Sequence, residues 1–391
     1  MRSSNRAYLY PVDQLRAAAA ILVVLYHSTQ LISSQALYGR SFSSSDWLYS
    51  QNPLKTIVFE GHTGVALFMV LSGFIFTVGT LGKDVSYASF LRNRLLRIYP
   101  LYLLMLLVGA TTLASRFDLG DFLRALFPLA SFGPLTYAAP WGAMFWAVAV
   151  EVQFYLVFPL LLKLLNRGGP VVLMRIIAVA AMFRLLAWMV NPKVDLNALT
   201  YFSLVGRIDQ FLFGMLAAVV FVHYRNVLKL PLLATSTVAA VAMLWVFNQL
   251  HGFAQPAGWR VLWVDVEGLV WASFIASYVS VLEQRRGLLA RGIAAIGERS
   301  YSVYLLHFII VTWVAFRAHI FIPVGNPVTG AVVTGALVVV PIATLAGFVS
   351  FAGIERPFLT LRGRYLKGAG STEPSHVRTR RAKSGEPLRE H

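Results

Sequence analysis

The chain has 391 residues, of which 57% are hydrophobic and only 13% are charged, about half the charged fraction of an ordinary soluble domain. Such a chain cannot cover a soluble globule with polar surface, which excludes a soluble enzyme or binding module. The formal charge of +17 lies mainly in the C-terminal tail and in alternate connections between apolar blocks. That distribution is typical of the positive-inside rule and not of a nucleic-acid-binding face. The absence of cysteine excludes disulfides, thiolate metal sites and an acyl-cysteine intermediate.

Apolar blocks of about 20 residues recur along the chain, the length that a helix needs to cross ~30 Å of hydrocarbon. They predict ten transmembrane helices, at 14–34, 58–80, 97–115, 143–165, 171–190, 204–224, 229–250, 262–283, 300–321 and 328–353. The first block contains Arg16 and His27 and no convincing cleavage site, so we interpret it as a retained helix and not a signal peptide. A further apolar piece at 122–135 is too short to cross and predicts an interfacial or re-entrant segment.

Basic residues concentrate in every second connection. These connections are 81–96, 166–170, 224–228, 284–299 and the segment from 354 onward. The positive-inside rule therefore predicts that both termini are cytoplasmic. From about Gly363 the chain has almost no large apolar residues, which predicts a disordered basic tail held near anionic lipid. The predicted organisation is one all-α transmembrane domain, residues 1–358, followed by a cytoplasmic tail, residues 359–391.

Ionisable groups inside predicted spans are costly and are therefore candidates for function. Arg16 and His27 are eleven residues apart, so both project from one face of the first helix, about 16 Å apart along its axis. Arg16 alone is equally well explained as a side chain that snorkels to the interface. A histidine among Ala, Ile, Leu and Val favours a functional role.

Two further charged positions allow both a structural and a functional interpretation. Arg94 and Arg97 lie one turn apart at the start of the third span and suit phosphate recognition, although taken alone they fit a positive-inside anchor better. Glu151 lies well inside the fourth span. An internal ion pair and a catalytic role are equally compatible with it.

Other polar groups within spans are more readily explained by packing. Arg184, Arg207 and Asp209 are predicted to be internal partners in the fifth and sixth spans. Tyr301, Tyr304 and His307 form a ridge along one side of the ninth span, which indicates either contact with a sugar or adhesion between helices. No phosphate loop, Gly-x-Ser-x-Gly elbow or His-Glu-x-x-His pair is present, and no metal site is expected.

Six blocks of the chain resemble, in order, the motifs of the acyltransferase family 3 membrane proteins. The blocks are Val12–His27 (Leu-Asp-Gly-Leu-Arg…Tyr-His in the family), Gly64–Phe74 (Gly-Val-x-Leu-Phe-Phe-Val-Leu-Ser-Gly-Phe), Arg94–Pro100 (Arg-x-x-Arg-Ile/Leu-x-Pro), Trp146–Pro159 (Trp-Ser-Leu-Ser-Val-Glu-x-Gln-Phe-Tyr-x-x-Phe-Pro), Ser300–His307 (Ser-Tyr-Ser-x-Tyr-Leu-x-His) and Ile354–Phe358 (Glu-Lys/Arg-Pro). The chain departs from these motifs at Gln14, Ala17, Ala147 and Ala149, where glycine or serine is common. The departures affect small-residue packing and leave the charged positions intact.

The resemblance implies a bacterial inner-membrane enzyme that O-acylates carbohydrates such as exopolysaccharide, O-antigen or Nod-factor sugars. Acetyl-CoA is the expected co-substrate, and no cofactor is expected to be bound permanently. The resemblance also implies that His27 is the essential base, that Arg16 supports it, and that Arg94 and Arg97 engage the CoA phosphates. Because only the short tail follows Glu355, the chain resembles the stand-alone, exopolysaccharide-type members without an esterase-like domain.

We therefore expect His27 to deprotonate the acceptor hydroxyl while a carboxylate, Glu151 or Asp13, orients the imidazole. Tyr301, Tyr304, His307 and Glu355 are expected to contact substrate. The expected partners are acyl-CoA, a carbohydrate acceptor and membrane lipid, without nucleic acid, and the sequence leaves the oligomeric state open.

Three alternatives stay open at this level. They are a secondary transporter or polysaccharide flippase, an acyltransferase of the unrelated lipid- and protein-acylating membrane type, and transfer to a macrolide or lipid acceptor. The exact donor and the route of transfer, direct or through an acyl-enzyme, also stay open.

Overall fold

A computed structural model describes residues 8–113, 118–132, 140–255, 257–284 and 287–366. Its helices in chain order are α1 (Tyr10–Tyr38), α2 (Pro53–Phe59), α3 (Thr63–Thr80), α4 (Tyr87–Thr112), α5 (Leu119–Leu126), α6 (Phe145–Gly168), α7 (Pro170–Val190), α8 (Leu196–Thr200), α9 (Leu204–His223), α10 (Leu230–Gln249), α11 (Arg260–Leu282), α12 (Leu288–Glu298), α13 (Ser300–Phe316) and α14 (Pro327–Leu359). Within these described residues there is no β-strand, only an isolated bridge between Val85 and Leu366. The predicted all-α fold is confirmed.

Nine helical segments in the described part of the chain are long and apolar enough to cross a membrane. The pair α12 and α13 makes a tenth when it is counted as one span, although it is bent by 69°. The prediction of about ten spans is therefore confirmed. The predicted span 58–80 begins later than expected, at Thr63, because Glu60, Gly61 and His62 form a turn between α2 and α3.

Successive spans run in opposite directions, so helix ends gather at two faces of the bundle. We call the face where α1 begins the N-terminal face. There Tyr8 donates a hydrogen bond to Glu298 (3.0 Å), and the backbone N–H of Gly82 donates to Asn166 (3.0 Å). At the opposite face, the α1–α2 connection is tied to α10, because Asn248 donates to the Leu48 carbonyl (2.8 Å).

The loop that follows α1 is also held by an ion pair of its own. The Arg40 guanidinium donates to both carboxylate oxygens of Asp46, at 2.7 and 2.8 Å. These hydrogen bonds lower the pKa of Asp46 to about 2. The carboxylate therefore stays ionised at neutral pH, and the pair closes the loop just before Trp47.

Helices α1 and α3 lie at the centre of the bundle, and α3 packs closely on α9. A methyl group added to Gly73 would lie 2.0 Å from the carbonyl oxygen of Phe211, and one added to Gly214 would lie 2.0 Å from the carbonyl oxygen of Val70. Small residues permit such close backbone approach between membrane helices, where packing and not hydrophobicity drives association.

Buried ion pairs join α7, α9 and α11. Arg184, which is fully buried, lies 2.6 Å from Asp209 and 2.8 Å from Asp265. Arg207 lies 3.5 Å from Glu267. The prediction that Arg184, Arg207 and Asp209 are internal partners is confirmed in part: Arg184 pairs with Asp209, while Arg207 pairs with a carboxylate of α11 that the sequence did not indicate.

Two segments outside the main spans pack against α4. The eight-residue helix α5 is too short to cross, and the carbonyl of its Ala125 accepts a hydrogen bond from Tyr102 (2.7 Å); the predicted segment continues to 133–135, outside the described residues. Near the C-terminus, the carbonyl oxygen of Gly363 accepts a hydrogen bond from Asn93 (2.7 Å). The predicted tail thus begins with residues up to Leu366 that lie on α4, and its remainder, 367–391, lies outside the described residues.

The glycine contacts between α3 and α9 lead to a stability prediction. Gly73→Ala forces its methyl group into the Phe211 carbonyl and should cost about 1–3 kcal/mol by overpacking, seen as a lower thermal unfolding midpoint in detergent. Gly292→Ala, where no atom lies within 4 Å of the added methyl, is the matched control and should not lower it. Equal midpoints for the two variants would contradict the assigned packing.

Candidate active site

A cavity of about 190 Å³, partly open to solvent, lies towards the N-terminal face between α1, α3, α4, α6 and α13. Its charged lining residues are Asp13, Arg16, Arg94, Arg97, Glu151, Glu298 and Arg362. The hydroxyls of Ser72, Tyr155, Ser300, Tyr301 and Tyr304 also line it. Candidate residues that the sequence placed on four separate helices therefore meet around one space.

The two arginines of the Arg-x-x-Arg element have different surroundings. Arg97 lies 3.1 Å from the carboxylate of Glu355 and donates to the carbonyl of Glu298 (2.6 Å). Arg94 lies over the ring of Phe76, with 4.8 Å between its guanidinium carbon and the ring centroid. Its Nε is buried, and none of the described residues accepts a hydrogen bond from it. Arg94 thus keeps an N–H donor without an acceptor in the described residues, whereas the guanidinium of Arg97 is bound to Glu355 and Glu298.

Glu355 is fully buried and acts as an internal partner in this structure. Its carboxylate pairs with Arg97 and accepts a hydrogen bond from Ser302. Both contacts join α14 to neighbouring helices α4 and α13. The geometry is that of a structural carboxylate beside the cavity, whereas the sequence had suggested contact with substrate.

Glu151 faces the cavity from α6 and is held by two hydroxyl groups. Ser72 on α3 donates to its carboxylate at 3.0 Å, and Tyr155, one turn along α6, donates at 2.5 Å. Arg16 lies in the same lining and pairs with Asp13 at 3.3 Å. The inner wall of the cavity therefore contains a carboxylate that is hydrogen-bonded and close to cationic side chains.

His27 is in contact with His307, and the two imidazoles share one hydrogen bond. Nδ1 of His27 lies 2.9 Å from Nε2 of His307. His307 is fully buried, and its Nδ1 donates to the backbone carbonyl of Tyr304 because a carbonyl can only accept. In the neutral pair, Nε2 of His307 must then accept from Nδ1–H of His27, which leaves Nε2 of His27 with a free lone pair. This network defines which nitrogen of His27 can act as a base.

The prediction that Asp13 is the carboxylate partner of His27 is wrong. Asp13 precedes His27 by 14 residues on the same helix, a separation of about 21 Å along the axis. The carboxylate of Glu151 accepts hydrogen bonds from Ser72 and Tyr155. Within the described part of the chain it has none with His27. His307 occupies the place beside Nδ1 of His27 that the sequence had given to a carboxylate.

The tyrosines of α13 differ from each other. Tyr301 donates to the backbone carbonyl of Ile98 on α4 (2.8 Å) and so joins two helices. The hydroxyl of Tyr304 is buried and has no hydrogen-bond partner among the described residues. Because Tyr304 lines the cavity and its carbonyl binds His307, it connects the cavity to the histidine pair.

Sequence reasoning missed a polar group at the opposite face, Glu60 and His62, in which the two side chains are 3.0 Å apart. The available signal was a Glu-Gly-His sequence just before the Gly64–Phe74 block. It was overlooked because the apolar block was extended across it.

Comparisons with known proteins identify the family of this chain. The family model described as an acyltransferase domain, Acyl_transf_3, matches residues 9–347. The O-acetyltransferase OatA of Staphylococcus aureus is 24% identical over 345 residues, covering 78% of this chain and 51% of OatA. The putative peptidoglycan O-acetyltransferase YrhL of Bacillus subtilis is 25% identical over 396 residues, covering 92% of this chain and 56% of YrhL. The chain thus spans about half the length of these curated relatives, and no solved structure matches it.

The family match extends over most of the chain and over most of the helical bundle. The protein belongs to acyltransferase family 3, a family with membrane O-acetyltransferase members.

Proposed function

We propose that this protein is a bacterial inner-membrane O-acetyltransferase that moves an acetyl group from acetyl-CoA to a hydroxyl of a cell-envelope carbohydrate. The observation that carries the proposal is the arginine-lined cavity, whose lining residue Tyr304 contacts the His27–His307 pair. A polyanionic donor would bind at the mouth of this cavity and a general base would act at its inner end.

Four arginines in the cavity lining support CoA as the donor, beside the carboxylates of Asp13, Glu151 and Glu298. The arginines are Arg16, Arg94, Arg97 and Arg362, and guanidinium groups bind phosphates through a planar fork of donors. The positive-inside distribution of basic residues supports a cytoplasmic N-terminal face, the side on which CoA is found. The long, thin pantetheine arm would then extend from the arginines towards His27.

The histidine pair supplies the base for this reaction. Nε2 of His27 removes the proton from the acceptor hydroxyl, the oxygen attacks the thioester carbonyl, and the C–S bond breaks as the C–O bond forms. The CoA thiolate then takes the proton from His27 and leaves as the thiol. His307 stabilises the imidazolium through its Nε2 lone pair. Direct transfer of this kind needs no enzyme-bound intermediate.

The proposed acceptor is a carbohydrate hydroxyl. The names of the relatives include O-acetyltransferase and putative peptidoglycan O-acetyltransferase, which supports a sugar of the cell envelope and acetyl as the group transferred. Exopolysaccharide, the acceptor suggested by the sequence motifs, and peptidoglycan are both within this proposal. A panel of purified glycans offered with acetyl-CoA distinguishes them.

The base assignment predicts the effect of removing each histidine. His27→Ala should lower the rate of acetyl transfer by about 10²–10⁴-fold, the usual contribution of a general base, and His307→Ala should lower it less, because Nε2 of His27 remains. Transfer of label from radiolabelled acetyl-CoA to glycan by purified protein is the measurement. His223→Ala is the control, because the imidazole of His223 is hydrogen-bonded to the carbonyl of Val219 on its own helix (3.2 Å). A folded His27→Ala variant with full activity would refute the scheme.

The contrast between the two arginines gives a second prediction. Arg94→Gln should raise the KM for acetyl-CoA by about tenfold to a hundredfold, because a hydrogen bond to a charged group contributes about 1.5–3 kcal/mol. Arg97→Gln should instead lower stability by about 3–5 kcal/mol, since it leaves the carboxylate of Glu355 buried and unpaired. Steady-state kinetics and thermal unfolding separate the two effects.

Two control variants accompany this experiment. Arg92→Gln removes an exposed arginine of the same helix and should change neither quantity. Arg97→Gln combined with Glu355→Gln should recover much of the lost stability. An unchanged KM in Arg94→Gln would return that residue to the role of a membrane anchor.

The proposed orientation is testable because the chain has no cysteine. Ser45→Cys at the opposite face and Asp84→Cys at the N-terminal face each introduce one thiol at an exposed position. A membrane-impermeant maleimide applied to spheroplasts should label the first directly and the second only after permeabilisation. The reverse pattern would place the arginine-lined cavity on the wrong side for CoA.

A further inference from the structure

A second polar group lies at the opposite face, in the turn between α2 and α3. Nε2 of His62 is 3.0 Å from one carboxylate oxygen of Glu60, and the other oxygen accepts a hydrogen bond from Asn248 (2.6 Å). We call Glu60, His62 and Asn248 the His62 cluster. Because a carboxylate only accepts hydrogen bonds, Nε2 of His62 carries the proton, and Nδ1 of the neutral ring presents a lone pair.

That lone pair has no partner in the described part of the chain. His62 is only 6% exposed, and its Nδ1 is buried without a hydrogen bond. The indole Nε1 of Trp47 is also buried and unpartnered among the described residues. Buried polar atoms are nearly always hydrogen-bonded, so an acceptor and a donor left free in one region indicate a missing ligand or water.

Aromatic rings surround these two atoms. The His62 ring centroid lies 4.6 Å from that of Phe253, 5.6 Å from that of Tyr26 and 5.8 Å from that of Tyr201. Trp47 contacts Tyr26 and Phe253 as well, at 6.4 and 5.7 Å. A pyranose ring has an apolar C–H face and a rim of hydroxyls, and aromatic walls with a few polar atoms complement both.

The His62 cluster is close to the proposed base. Tyr26, whose ring contacts His62, precedes His27 in the chain, and the rings of Tyr26 and His27 are 5.0 Å apart. The arginine-lined cavity approaches the histidine pair from Tyr304, near the N-terminal face, whereas the His62 cluster approaches it from the opposite face. The ring of Tyr26 therefore lies between the His62 cluster and His27, the proposed base.

Charged side chains of both signs lie at or near the His62 cluster. Its one carboxylate belongs to Glu60, which is 5% exposed. The nearby guanidinium of Arg207, stacked on Tyr201 at 4.0 Å, is paired with Glu267. The guanidinium of Arg260 lies over the ring of Phe253, 5.0 Å from its centroid, and donates to the side-chain oxygen of Asn197.

We propose that the His62 cluster and its aromatic walls form the acceptor subsite, which binds a carbohydrate through a hydroxyl donated to Nδ1 of His62. This subsite rests on the proposed function, in which the acceptor is a carbohydrate. In it, His62 is a positioning residue, and His27 remains the base. The donor and acceptor sites then lie on two sides of the histidine pair.

Binding without turnover is the direct test. Isothermal titration calorimetry of the purified full chain with chitotetraose, a neutral oligosaccharide, should detect binding that His62→Ala weakens by roughly tenfold or more. Glu60→Gln, which retains a hydrogen-bond acceptor for Asn248, should also weaken it and serves as the second variant if His62→Ala does not fold. His223→Ala should bind as the wild type does.

Kinetics separate this inference from the proposed function. His62→Ala should raise the KM for the acceptor and leave the KM for acetyl-CoA unchanged, whereas a merely structural role would alter both. Wild-type protein that does not bind chitotetraose, or His62 and Glu60 variants with wild-type affinity, would overturn the acceptor subsite. Sugar binding that depends on His62 in a protein that consumes no acetyl-CoA would instead refute the proposed function and leave the subsite standing.

Discussion

Water is not available inside a bilayer to satisfy a polar side chain, so each such group in this bundle must find its partner on a neighbouring helix. Arg184 between Asp209 and Asp265, and Arg97 with Glu355, meet this requirement and join five helices in doing so. The same requirement makes the exceptions informative. Arg94, Tyr304 and His62 are among the residues that retain a buried polar atom without a hydrogen bond in the described part of the chain, and these three lie along the proposed path of the reaction.

That path gives the bundle its functional organisation. The arginine-lined cavity, the His27–His307 pair and the His62 cluster follow one another from the N-terminal face to the opposite face. Helix α1 contributes to each of them, through Arg16, His27 and Tyr26. The kink between α12 and α13 brings Glu298 and Ser300 to the cavity while α13 continues to His307. A helical bundle can in this way separate a soluble, anionic donor from an acceptor on the other side of the membrane.

The apolar blocks were sufficient to predict the spans, because the length and hydropathy of a membrane helix are dictated by the bilayer and not by its neighbours. The apolar blocks placed the start of the second span too early, at residue 58. Glu60, Gly61 and His62 form a polar turn there, and hydropathy averaged over a window does not separate this turn from the apolar helix that follows. The sequence also identified His27 and His307 as separate candidates. Their contact depends on packing between residues 280 positions apart, which no local pattern encodes. The preference for a carboxylate beside His27 came from general enzymology and failed because Asp13 is on the same helix, about 21 Å away.

Transfer across the membrane is the central claim of this account, and sealed proteoliposomes containing uniformly oriented protein test it most directly. Radiolabelled acetyl-CoA is supplied only at the N-terminal face, and a glycan acceptor only at the opposite face. We expect labelled glycan on the side that never received acetyl-CoA. We expect none when acetyl-CoA is supplied at the opposite face and the glycan at the N-terminal face. Label that appears only when donor and acceptor share a compartment would contradict it.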